Sequence, residues 1–117
     1  MAKPQKCISV QNARNLYNNW QNTRAGSLAD DGEADTCDFT FSLDEMQEFL
    51  DYVKEHSTKA GITNPGIRIY FAAYNNSSTN KATVFLTATE GSDSDSDNNY
   101  DIDPLNTVVG GWPPNTY

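Results

Sequence analysis

The sequence predicts an α+β domain: two amphipathic helices packed on one face of a small antiparallel sheet of three or four strands. Three observations carry this reading. Two segments place apolar residues at helical spacing, and two later runs alternate apolar and polar residues around a short polar loop. A length of 117 residues leaves room for one core but not two, so 1–117 is read as a single domain.

The first helix opens at Ser9, whose hydroxyl suits an N-cap. Val10, Ala13, Leu16, Tyr17 and Trp20 then fall on one face over about four turns. The opposite face carries Asn12, Asn15, Asn18 and Asn19, which lower intrinsic helicity, so packing of the apolar stripe has to hold this helix. Gly26 is a suitable stop, and five acids from Asp30 to Asp38 without periodicity read as a loop. The second helix is bounded by the capping box Ser42 and Glu45 and by Gly61. Asp44, Glu45 and Glu48 sit where the helix dipole favours anions, and Lys54, His56 and Lys59 lie at its other end. Leu43, Met46, Phe49, Leu50 and Val53 form its apolar stripe.

Asn64, Pro65 and Gly66 turn the chain into IRIYFAAY, and ATVFLTATE follows the polar loop NNSSTNK, an antiparallel hairpin. The face made by Ile67, Ile69 and Phe71 with Val84, Leu86 and Ala88 is expected to pack on the helices. Arg68, Tyr70, Tyr74, Thr83, Phe85 and Thr87 then occupy the other face. A lone hairpin is marginal in water, so a third strand is required, and 39–41 and 105–109 are the candidates. Residues 91–103, GSDSDSDNNYDID, form an acidic loop with too little apolar area to join a core. Residues 110–117 form an extended tail, in which Trp112 precedes two prolines.

Net charge is −8 and unevenly spread. Residues 1–29 carry Lys3, Lys6, Arg14 and Arg24 without an acid, whereas residues 30–117 hold all 16 acids against Lys54, Lys59, Arg68 and Lys81. An acidic body repels phosphate backbones and anionic membranes, so nucleic acid is disfavoured as a ligand. No stretch approaches the 18 or so apolar residues of a membrane span, and the start lacks an apolar leader segment, as expected of a cytoplasmic or phage-borne protein. Cys7 and Cys37 with the single His56 are too few for a zinc framework. A disulfide between them would close a loop of about 30 residues and stabilise by roughly 3 to 4 kcal/mol, and two unlinked thiols are the alternative.

The order of parts, with GIRIYF at 66–71 as its sharpest string, resembles a group of small uncharacterised proteins from Bacteroidetes. These share a helix, a GIRIYF-like strand, a second strand and a Cys-Pro-Pro-x-Cys ending. The likeness spans roughly 8–114. Here Trp112, Pro113, Pro114 and Asn115 stand where flanking cysteines belong in that group, so no role of those cysteines carries over. The resemblance implies a bacterial or phage origin and brings no activity with it.

Chemistry is sparse. Asp93, Asp95 and Asp97 have the alternate spacing of the first half of an EF-hand loop, but Pro104 stands where the bidentate Glu belongs and no helix leads in. A looser Ca²⁺ site from these three and Asp101 stays open beside a plain solvated loop. Nothing around Cys7, Cys37 or His56 forms a nucleophile motif, and no Gly-rich phosphate loop, GxSxG or HExxH string occurs. Catalytic residues are therefore assigned to none. Arg68, Tyr70, Tyr74 and Phe85, with Trp112 from the tail, have the composition of a protein interface. The bland alternative is that the tail itself, or another protomer, folds over them. The reading is a non-enzymatic interaction or self-associating module whose partner is protein or self. The alternatives are an acidic inhibitor or nucleic-acid mimic seated in a basic groove, and a calcium-dependent binding module.

Overall fold

The computed structural model describes residues 2–25, 36–106 and 116–117. Its elements are α1 (Val10–Thr23), α2 (Leu43–Lys59), β1 (Gly66–Ala73), β2 (Ala82–Thr89) and β3 (Leu105–Asn106). The strands form one antiparallel sheet in the order β1-β2-β3, which makes an α+β fold. Among the described residues no helix is long and apolar enough to cross a membrane.

Both helix starts follow from their caps. Ser9 Oγ accepts from the Asn12 amide at 3.0 Å, and Ser42 Oγ from the Glu45 amide at 3.0 Å, each satisfying a first-turn N–H that has no partner within the helix. α2 ends where Gly61 adopts a φ of 78°, the left-handed conformation that glycine enters without strain. Gly26 lies outside the described residues.

The hairpin register pairs Ile67 with Ala88, Ile69 with Leu86 and Phe71 with Val84, so these six side chains share one face. Asn76 shapes the connecting loop, its Oδ1 accepting from the Ser78 and Thr79 amides. Gly66 opens β1 because a Cβ there would lie 2.6 Å from Thr89 Oγ1 and 3.0 Å from the Gly91 carbonyl. Of the two candidates for a third strand, Leu105 and Asn106 pair with Leu86 and Phe85. Residues 39–41 form no strand, although Phe39 makes an isolated bridge.

The core lies between α2 and the β2 side of the sheet. Phe49 and Val53 pack with Leu86, Ala88 and Ile102, bordered by Phe41, Met46, Tyr52 and Leu105. Ile102 corrects the expectation that residues 91–103 contribute nothing to the core: it is buried, and turn hydrogen bonds around Asn99 deliver it. A second correction concerns β1. Its apolar face was expected under the helices, yet Ile67, Ile69 and Phe71 are 36%, 64% and 88% exposed. A helix is about 10 Å across and strands are spaced about 4.8 Å apart, so one helix covers about two strands. α2 covers β2 and its β3 flank. α1 does not cover β1 in its place, since none of its residues is buried and Val10 and Leu16 of its stripe are exposed.

Two phenylalanines in different environments measure this asymmetry. Phe49→Ala is expected to lower monomer stability by about 3 to 5 kcal/mol, and Phe71→Ala to change it by no more than about 0.5 kcal/mol, in urea denaturation followed by circular dichroism at a protein concentration low enough to exclude self-association.

Candidate functional site

The two faces of β1 have opposite fates. Arg68, Tyr70 and Tyr74 on one face gather with Phe85 as the alternation implies, but the molecule uses them itself. The chain leaving β2 turns back along it, with Thr89 bridged to Asn98 and the Asn99 amide donating to the Ala88 carbonyl at 2.9 Å. Arg68 reaches over to this return. Its Nη1 donates to Asn98 Oδ1 at 2.7 Å and its Nη2 to the Ser94 carbonyl at 2.9 Å.

Because Asn98 Oδ1 is held by the guanidinium, Asn98 Nδ2 points to the Tyr70 hydroxyl, 2.9 Å away. Tyr70 in turn stacks on Phe85, with ring centroids 5.1 Å apart and planes 19° from parallel. Further along the face, the Tyr74 hydroxyl donates to Asn106 Oδ1 at 3.0 Å, while Asn106 Nδ2 donates to the Val84 carbonyl and Thr83 Oγ1. Two asparagines of the returning chain thus clamp this face, and Thr83 and Thr87, expected on an open surface, are buried. The Asn98 amide, followed by the charge of Arg68, lowers the Tyr70 pKa from its ordinary value, with burial acting in the opposite sense.

The aspartate run is held by its backbone rather than by its carboxylates. The Asp93 amide donates to Ser96 Oγ, the Ser96 amide to the Asp93 carbonyl and the Glu90 amide to the Asp97 carbonyl. Asp93, Asp95 and Asp97 are exposed, and among the described residues no three His, Cys, Asp or Glu side chains converge as metal ligands. Cys7 and Cys37 are not joined by a disulfide. His56, in the last turn of α2, sets its ring edge against Tyr52 at 4.5 Å between centroids. Trp112 lies outside the described residues. Thr116 and Tyr117, the described end of the tail, line a shallow cleft with Ala13 and Tyr17 of α1.

The opposite face of β1 carries the surface that sequence reasoning missed. Ile67, Ile69 and Phe71 form an exposed apolar row, and no strand lies on the outer side of β1 among the described residues. Near Phe71 the row runs into an almost wholly apolar groove of about 490 Å³. Tyr17 and Trp20 of α1, Cys37, Phe39 and Ala73 are among its lining residues. The signal in the sequence is a mismatch of widths: one well-capped helix with a compact apolar stripe, set against a hairpin and a third strand that it is too narrow to cover. No protein-family model, curated protein or solved structure matches the chain.

Two measurements probe the clamped face. Arg68→Ala is expected to accelerate hydrogen exchange at the Glu90, Ser96 and Asn99 amides while β1 and β2 amides keep their protection; unchanged exchange in residues 90–99 would show that Arg68 does not hold the loop. Tyr70 should ionise below the ordinary tyrosine value in a titration followed at 295 nm, and Tyr70→Phe should remove that increment. A folded-state pKa below the unfolded value means that this group adds no stability at neutral pH. Its contribution grows as pH rises past the folded pKa and is full above the unfolded value of about 10.

Proposed function

We propose that this chain is a non-enzymatic protein-interaction module of bacterial or phage origin that engages its partner through the exposed apolar face of β1. The observation that carries the proposal is the row Ile67, Ile69 and Phe71, open on an edge strand and continuous with the Tyr17 and Trp20 groove. Large apolar side chains standing together beside an apolar hollow mark an association surface. The origin rests on the resemblance to the Bacteroidetes group.

Charge narrows the class of partner. Residues 56–89 contain no Asp or Glu and hold His56, Lys59, Arg68 and Lys81, so the proposed surface lies in a local break in an otherwise acidic body. The −8 net charge opposes nucleic acid and anionic membranes, and a protein surface is the ligand that remains. In this reading Arg68, Tyr70, Tyr74 and Phe85 serve binding indirectly. By tying the chain return to one face they keep β1 in a single geometry and leave its other face open.

The test is the double substitution Ile69→Ser with Phe71→Ser, which removes the row without touching the α2 core. The expected result is an unchanged circular dichroism spectrum and a melting temperature within a few degrees of the parent, with affinity for the bound protein weakened by about tenfold or more. If self-association and the proteins returned by affinity capture and mass spectrometry were both the same for the two forms, the proposal would be overturned.

A further inference from the structure

Resting on the reading above, we propose that the partner is a second copy of this chain, joined by antiparallel pairing of β1 with its counterpart about a twofold axis at Ile69. Backbone parity comes first. The Tyr74 amide donates to the Lys81 carbonyl across the hairpin, so residues at even positions of β1 turn their N–H and C=O groups toward β2. The Ala88 carbonyl, opposite Ile67, points away from β1 to the Asn99 amide, which fixes the same parity independently. Ile67, Ile69 and Phe71 therefore turn their backbone groups to the outer edge. The same three residues carry the exposed apolar side chains. Edge strands are commonly guarded by inward charges, lysines or bulges. β1 has none of these at 67–71, and its one charge, Arg68, is committed to Asn98 and Ser94 on the other face.

The row is also self-complementary. With the axis at Ile69, Ile67 faces Phe71 of the second copy, Ile69 faces itself and Phe71 faces Ile67, so each large apolar side chain meets another. All three pairs join outward-facing backbone groups, which allows two N–H···O bonds for each. On the opposite face Arg68 stands across from Tyr70, a cation beside an aromatic ring. Neighbouring registers are worse. An axis at Arg68 sets the two guanidinium groups against each other and Phe71 against Pro65, which has no N–H. An axis at Tyr70 spends Ile67 on Ala73. An isologous contact of this kind closes on itself and extends the sheet to six strands.

Charge agrees with this occupant. Two bodies of net charge −8 repel one another, and the 56–89 stretch without carboxylates lets them meet with no acid facing an acid across the paired strands. Screening then removes only the long-range repulsion. The dimer should strengthen as salt rises, the reverse of what attraction between the basic N-terminal and acidic later segments would produce.

Sedimentation velocity and cross-linking on the full chain test this. The parent is expected to sediment as a dimer whose dissociation constant falls as sodium chloride rises, and Ile69→Lys is expected to be monomeric with an unchanged circular dichroism spectrum. In a Cys7→Ser, Cys37→Ser background, Ile69→Cys should form a disulfide-linked dimer under mild oxidation, because paired Cα atoms there stand about 5.5 Å apart. Phe71→Cys should not, since the two copies of that residue lie four strand positions, or about 13 Å, apart. A parent that stays monomeric at high salt and near-millimolar concentration overturns the self-pairing. So does a dimer that cross-links through Phe71→Cys and not through Ile69→Cys. If the Ile69→Ser, Phe71→Ser protein nonetheless loses a captured partner, only the identity of the partner is overturned and the interaction reading stands.

Discussion

The guanidinium of Arg68 holds an acid-rich strip of chain against the face of a sheet, and much of the surface architecture follows from that contact. From β1 it reaches the returning chain on the far side of β2 and takes two acceptors there, a side-chain amide oxygen and a main-chain carbonyl. A strip with five aspartates between residues 91 and 103 has little apolar area with which to order itself, and charge-assisted hydrogen bonds to one cation supply what burial cannot. The orientation imposed on Asn98 passes to the Tyr70 hydroxyl, and Tyr70 lies on Phe85. Ile102 follows a few residues later and enters the core, so the acidic run is tied to the sheet at one end and to α2 packing at the other.

Sheet width sets the second constraint. β2 is central, and both of its faces are covered: Val84, Leu86 and Ala88 on the α2 side, Thr83, Thr87 and Thr89 on the clamped side. β1 has neither a second neighbour strand nor a helix over it among the described residues. The apolar row on β1 is thus the remainder left when one helix covers a three-stranded sheet. Residues that could have filled the gap, Val10 and Leu16 on α1, are themselves exposed.

These constraints act together on the proposed function. Closing one face with the molecule's own residues leaves the opposite face as an available apolar surface, and it does so on a strand whose outer backbone groups no described strand pairs. Side-chain burial and main-chain pairing are then offered by the same three residues. This suits recognition of another polypeptide, because such a partner can satisfy both at once.

Local physics was legible in the chain. Helix starts at Ser9 and Ser42 and the stop at Gly61 were readable because a cap depends on residues three or four apart, and strand alternation at 67–71 and 83–88 was readable because the period of a strand is fixed at two. The same alternation placed Arg68, Tyr70, Tyr74 and Phe85 on one common face. What the sequence determined by itself was therefore the elements, their caps and the residues that share each face. Which face would be covered was decided only in three dimensions, because that depends on the number of strands, the width of α2 and the path of the chain after β2. Arg68 finds its acceptors 26 and 30 residues away, a separation that no local pattern encodes, and Ile69 and Phe71 are exposed because none of the described elements packs over them.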